Sequence, residues 1–291
     1  MTLFKSISIK IFKLSIFFIL ITGSVNAQQS TYIYKNFEGK DLSLDVYEPA
    51  KEFSTLKKPA IILFHGGGLV AGNRQGMKDQ CTYFSDKGIV AISPSYHLIS
   101  KDSKQPALEV QQCIKDTKSA IRWIKAHADQ FGIDTNFVIL GGGSAGAFLA
   151  TVAAFNNDIN ESSDDINISV KGRALVLYNP AYVPETRYSP APVNYVSGSA
   201  APPSIFFFGS EDKFKPGGDK LYNRLAKEKV ITELWVAKGE KHSFFNKEGW
   251  KEATNHKAYN FLIRLNLLNK KQILEDDMKD FILDFQKAGK N

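Results

Sequence analysis

The stretch Gly142-Gly143-Ser144-Ala145-Gly146 is the tightest constraint on how this chain folds. It follows an apolar strand-type run, Phe137-Val138-Ile139-Leu140, and opens an Ala-rich helical run from Ala145 to Asn156. A chain that passes from strand to helix within so few residues must turn sharply, so the side chains around Ser144 have to be very small. Gly142 and Gly146 meet that need, and the backbone at Ser144 is expected to be strained. Its hydroxyl then projects from the end of a sheet, beside free helix N–H groups and the positive end of a helix dipole. A glycine-rich turn can instead cradle a phosphate, but that requires a dinucleotide fingerprint or a Gly-Lys-Ser ending, and neither is present here. The strand–turn–helix setting reads as a nucleophile elbow.

Around this turn, short apolar runs alternate with longer helical stretches. Strands are expected at Tyr32–Asn36, Leu42–Tyr47, Ala60–Phe64, Ile89–Ser93, Phe137–Leu140, Ala174–Tyr178, Ser204–Phe208 and Glu233–Ala237. Helices are expected at Gln75–Lys87, Ala107–Gln130, Ala145–Asn156, Gly218–Lys229 and Trp250–Asn266, with a terminal one at Ile273–Lys287. Runs such as Ala60-Ile61-Ile62-Leu63-Phe64 are apolar at every position, as in a parallel strand covered on both faces. The first two strands alternate and lie close together, which suggests an antiparallel hairpin at one edge. The alternation as a whole places residues 28–291 in one α/β domain. The segment Asn179–Pro203, rich in Pro, Ser, Ala and Tyr, is expected to cross the top of the sheet and help to wall a site.

A second glycine cluster, His65-Gly66-Gly67-Gly68, comes directly after a strand. Successive glycines let backbone approach a ligand and turn N–H groups toward it. A serine is a poor nucleophile without a base, so a histidine and an orienting carboxylate are required. Of the five histidines, His65 belongs to the glycine loop and is expected to brace it. His97 and His127 precede Ser144, and His127 and His256 fall in helical stretches. His242 alone follows the last apolar strand in a polar loop, Lys238-Gly239-Glu240-Lys241-His242. Asp212 ends the strand before it, thirty residues earlier, with Glu211 and Asp219 as weaker alternatives. The order serine, acid, histidine fits a relay across the ends of parallel strands. The competing readings are a surface-loop histidine and a helix-capping aspartate.

These motifs resemble the α/β-hydrolase superfamily, within it the exported carboxylesterase and acetylesterase branch with a His-Gly-Gly-Gly loop. The resemblance spans most of residues 40–266. It rests on residues 65–68, 141–146, Gly209-Ser210-Glu211-Asp212 and Lys241-His242-Ser243-Phe244-Phe245, with Lys118-Ser119-Ala120-Ile121-Arg122-Trp123-Ile124 as a further likeness. It implies an α/β-hydrolase fold: a mostly parallel eight-stranded sheet with helices on both faces and a small cap or none. It also implies ester hydrolysis through an acyl-serine, without metal or organic cofactor, with Ser144, His242 and Asp212 as the catalytic residues. The N–H groups of Gly67, Gly68 and Ala145 would hold the oxyanion, each worth about 2.7–4 kcal/mol in the transition state. The branch points to a small-molecule or oligosaccharide ester, with a carbohydrate acetyl or acyl ester as the leading expectation. The chain departs from the hormone-sensitive-lipase-like pattern at Tyr96-His97-Leu98-Ile99 and at Leu69, where an aromatic residue is common. The alternatives are an exopeptidase of the same fold, which would bring a propeller or larger cap, and a binding protein that kept the fold without the chemistry.

Residues 1–27 read as a cleavable secretory signal. Lys5, Lys10 and Lys13 give a basic start, Leu14–Ile21 an apolar core and Val25-Asn26-Ala27 a small-residue cleavage region. The apolar run is shorter than the roughly 20 residues needed to span a bilayer, so export to the periplasm or beyond is expected, with no stable membrane anchor. Setting those three lysines aside lowers the formal charge from +7 to +4. Without a basic block, nucleic-acid binding is not expected. Cys81 and Cys113 could pair in an oxidising compartment. They fall in consecutive crossover helices, however, and a reversal of strand order between the crossovers would put those helices on opposite faces. Tyr178, Phe244 and Leu69 are candidates for pocket walls, with core packing as the competing reading.

Overall fold

A computed structural model describes residues 28–50, 57–182, 201–268 and 285–287. Residues 1–27 and residues 183–200 lie outside the described residues. Nine strands form one sheet: β1 (Gln28–Phe37), β2 (Lys40–Glu48), β3 (Lys58–Phe64), β4 (Val90–Pro94), β5 (Ile133–Gly143), β6 (Ala174–Tyr178), β7 (Ser204–Gly209), β8 (Thr232–Ala237) and β9 (Phe285–Lys287). Their spatial order is β1-β2-β4-β3-β5-β6-β7-β8-β9. The six strands from β4 to β8 in that order run parallel, while β1, β2 and β9 pair antiparallel at the edges. All eight expected strands are present. The ninth corrects the terminal-helix expectation: Phe285–Lys287 is a strand against β8, and the rest of that stretch lies outside the described residues.

Among the described residues five α-helices cover the sheet: α1 (Lys78–Asp86), α2 (Pro106–Ala126), α3 (Ala145–Phe155), α4 (Lys215–Lys227) and α5 (Trp250–Arg264). α2 starts with Pro106 in its first turn, where the missing N–H has no intrahelical partner to lose. The parallel strands alternate between two cores. Ile62, Phe64, Leu140, Leu175, Leu177, Phe206 and Phe208 pack with α2, α3 and α4 on one face. On the other, Ile61, Leu63, Ile139, Val176, Ile205 and Phe207 pack with α1 and α5. This double burial explains why the central strands are apolar throughout.

The order reverses at β3, which has β4 on one side and β5 on the other. Right-handed crossovers then place α1 and α2 on opposite faces. Cys81 on α1 belongs to one core and Cys113 on α2 to the other, and both are free thiols buried in those cores. The same reversal opens a crevice at the carboxyl ends of the strands, where ligand sites form in open α/β sheets.

Lys35 on β1 ties the edge of the sheet to this frame. Its Nζ lies 2.7 Å from Asp116 Oδ1 on α2 and 2.7 Å from Glu161 Oε2 in the loop after α3. The other Asp116 oxygen accepts the His97 N–H at 3.0 Å. The Lys35 hydrogen bond holds the Glu161 carboxyl down at about 2. A lowered carboxylate stabilises the fold at neutral pH and loses that contribution as pH falls through about 4.5 toward 2. Glu161→Gln should therefore cost about 1 kcal/mol at pH 7, since solvent screens this partly exposed pair. The gap to wild type in urea melts should narrow steadily from about pH 5 toward pH 2; a gap independent of pH would refute the ion-pair origin.

Candidate active site

The elbow is built from backbone contacts that leave no space for side chains. A Cβ on Gly146 would lie 2.0 Å from the Phe64 carbonyl oxygen, and one on Gly142 would lie 2.3 Å from the same atom. The first turn of α3 is thereby seated on the end of β3. Ser144 takes φ 53° and ψ −115°, the strained conformation expected of it. Its N–H donates to the Tyr178 carbonyl at 2.8 Å, and its own carbonyl accepts from Phe148 and Ala181, each at 3.1 Å. Three hydrogen bonds thus hold the residue that the backbone disfavours. No side chain caps α3, so the N–H groups of its first turn face the crevice with the positive end of the dipole.

Ser144, His242 and Asp212 meet. Ser144 Oγ lies 2.8 Å from His242 Nε2, and His242 Nδ1 lies 2.8 Å from Asp212 Oδ2. An imidazole protonated at Nδ1 donates to the carboxylate and leaves Nε2 free to accept the serine proton. Asp212 is buried, and its two oxygens are committed separately. Oδ1 accepts the Phe214 N–H at 2.9 Å, in a turn just before α4, while Oδ2 faces the histidine. Asp212 thus closes a local turn before α4 and reaches the histidine; it does not cap the helix, whose N-cap residue is Phe214 and which no side chain caps. Burial pushes its carboxyl up, but the hydrogen bonds from His242 and the Phe214 N–H outweigh that and hold it below the ordinary value. The alternatives do not reach: Glu211 is exposed, and Asp219 pairs with Lys215 at 2.8 Å.

His65 braces the glycine loop as expected. Its ring stacks on Tyr96 at 4.3 Å between centroids, its Nδ1 is 2.7 Å from the Gly66 carbonyl, and Tyr96 Oη donates to its own carbonyl at 2.8 Å. Burial lowers its pKa, so it stays neutral at pH 7. The remaining three are engaged elsewhere: His97 with Glu109, His127 stacked on Trp123, and His256 with Asn260. Gly67 adopts φ +119°, and a Cβ there would lie 2.0 Å from the Ala71 carbonyl oxygen. Gly67 and Gly68 line the same cavity of about 490 Å³ as Ser144 and His242, and Ala145 opens the helix beneath it.

Two parts of the site were not foreseen. Asn179, at the end of β6, is buried with φ 46° and donates its Nδ2 to Asp212 Oδ2 at 2.6 Å. Nothing in its local sequence, Tyr178-Asn179-Pro180, ties it to a residue thirty-three positions away. The apolar walls are Met77, Ala181, Phe214 and Phe245. Tyr178, Phe244 and Leu69 pack in the cores instead, because the 3-10 turn Phe244–Asn246 buries the first phenylalanine and turns the second against Gly143. Of the segment 179–203, Ala181 reaches the cavity, while residues 183–200 lie outside the described residues.

Solved structures of an esterase from Thermogutta terrifontis are similar to this chain in fold. Its paraoxon-phosphorylated form is 29% identical with a TM-score of 0.75, covering 82% of this chain and 95% of that one. Its propionate-bound form is 28% identical with a TM-score of 0.75, covering 84% and 96%. The fold is that of the α/β-hydrolase superfamily. Within it, the family model BD-FAE matches residues 44–174 of this α/β-hydrolase. An ethyl acetate hydrolase of Pseudomonas putida is 29% identical over 118 residues, 40% of this chain and 35% of its own length. The matches span about a quarter to a third of the length of such curated relatives. No helix among the described residues is long and apolar enough to cross a membrane.

The Asn179 contact yields a test that needs no substrate. Asn179→Asp places a second carboxylate where the amide donates, and two carboxylates so close cannot both ionise freely. Labelling of Ser144 by a fluorophosphonate should slow by about tenfold or more at pH 7. The acid limb of its pH profile should move to higher pH, whereas a purely structural role would lower the rate equally at every pH.

Proposed function

We propose that this α/β-hydrolase is a serine ester hydrolase working through a Ser144–His242–Asp212 triad, and that its substrates are short-chain acyl esters of carbohydrates. The observation that carries the reading is the continuous pair of 2.8 Å contacts from the Ser144 hydroxyl through His242 to Asp212, opening on a cavity rimmed by glycine backbone.

His242 Nε2 accepts the proton of Ser144 as Oγ attacks the ester carbonyl, and Asp212 fixes the imidazole tautomer and stabilises its positive charge. The carbonyl oxygen, now anionic, is held by the N–H groups of Gly67, Gly68 and Ala145. Ser144 cannot contribute its own N–H, which is already given to Tyr178. His242 then passes the proton to the departing alkoxide. Water, deprotonated by the same histidine, attacks the acyl-serine and releases the acid. Propionate in the Thermogutta terrifontis esterase supports a short acyl group, as does the name of the ethyl acetate hydrolase. Asn73, Lys213 and Asn246 line the cavity beside its apolar walls and suit a hydroxylated alcohol. The leader pattern at residues 1–27 supports export, which would bring the enzyme to extracellular or periplasmic sugar esters.

Ser144→Ala should lower kcat/KM for 4-nitrophenyl acetate by roughly a thousandfold or more and abolish fluorophosphonate labelling. Wild-type turnover in that variant would remove Ser144 from the mechanism. For the leader, N-terminal sequencing of the exported protein should begin at Gln28, and a start at Met1 would exclude cleavage.

A further inference from the structure

Among the described residues that line the cavity there is no aspartate or glutamate, and Lys213 is the one lysine or arginine. The acid nearest the chemistry, Asp212, is buried behind His242 and committed to three donors. Of the acids close by in sequence, Glu211 is exposed and outside the cavity lining, Asp219 is held by Lys215 and Glu240 by Lys247. Lys213 makes no ion pair with a carboxylate among the described residues. Its Nζ sits over the Phe214 ring, 4.9 Å from the centroid, and that ring meets His242 edge-on at 4.9 Å. Lys213 therefore lines the cavity next to Phe214, the ring that packs against the histidine.

That side has a chemical meaning. The imidazole that takes the Ser144 proton must hand it to the leaving oxygen, so the alcohol portion of an ester lies toward His242, and the carbonyl oxygen lies toward the glycine loop. We propose that Lys213 selects esters whose alcohol portion carries an anionic group, a carboxylate or a sulfate, as in an acylated acidic sugar. This rests on the ester-hydrolase reading above and narrows it to a substrate class. An exposed cation acts through water, so its discrimination is modest and screened by salt.

The full chain is assayed for acetate release from three matched compounds: an O-acetylated methyl glucoside, its uronic acid counterpart and its 6-sulfate. Wild type should favour the anionic esters over the neutral one by about threefold to fivefold in kcat/KM at low ionic strength, chiefly through KM. The preference should fade in 0.5 M salt, which reduces the screening length to a few Å (roughly 3 Å at 1 M). Lys213→Gln should bring the ratio to about one, Lys213→Arg should keep it and Lys213→Glu should invert it. Preference for only one of the two anions identifies the source. A wild-type ratio of one, a ratio unchanged in Lys213→Gln, or turnover of 4-nitrophenyl acetate with none of the three sugar esters overturns the proposal. Failure of the underlying reading looks different: no ester of any kind is hydrolysed, and a fluorophosphonate leaves Ser144 unlabelled.

Discussion

The site depends on the approach of Gly142 and Gly146 to the carbonyl of Phe64. It brings the nucleophile helix onto the end of β3 at backbone contact distance. That contact aligns the turn carrying Ser144 with the loop that begins at His65, so the hydroxyl and the glycine N–H groups border one cavity. A methyl group at either glycine would drive the two strand ends apart. The strain at Ser144, of order 1–3 kcal/mol for such a conformation, persists because β6 and the segment after it grip the residue from both sides. Stability elsewhere, in the two cores and the Lys35 clamp at the sheet edge, is what lets a strained turn survive.

The relay follows from strand order as much as from residue type. Successive parallel strands β5, β6 and β7 deliver Ser144, Asn179 and Asp212 from their carboxyl ends, and β8 leads to His242. Each is held locally by a turn: Asp212 by its bond to the Phe214 N–H, and the residue after His242 by a left-handed backbone conformation at Ser243. Asn179 joins these local devices across the sheet by donating to the oxygen that faces the histidine. Asp212 thus keeps its negative charge despite burial and holds the imidazole in orientation through Oδ2.

How much of this could be read beforehand divides along a physical line. The elbow, the glycine loop and the two flanking core faces are stereochemical demands that adjacent residues must satisfy, so they leave short patterns. His242 and Asp212 were legible because a relay on a parallel sheet fixes where an acid and a base can stand. Asn179 was not, since its partner is distant in sequence and its own setting looks like the end of any buried strand. Phe244 and Phe245 differ only in which side of a 3-10 turn they occupy, and two equal neighbours give no sign of that. The fate of Cys81 and Cys113 turned on the strand reversal at β3, a tertiary fact; once it is known, handedness separates them. The terminal stretch was helical in pattern, yet Phe285–Lys287 pairs with the open edge of β8, where unsatisfied backbone groups outweigh local preference.

Charge is distributed in the same layered way. The negative group that serves the chemistry is enclosed and answered by three donors from three different elements, so little of its field is left to act on a ligand. Among the described residues the positive group at the rim is answered by an aromatic ring and by no carboxylate, and its residue lines the cavity. Two consecutive residues, Asp212 and Lys213, therefore point their charges to opposite ends of the problem. In the proposed reaction one orients the base, and the other meets what the base releases. The relay's three hydrogen bonds come from Asn179, Phe214 and His242, so the charge on the Lys213 side chain can be changed without removing any of them. Selectivity at this site can then vary while the machinery beneath it stays fixed.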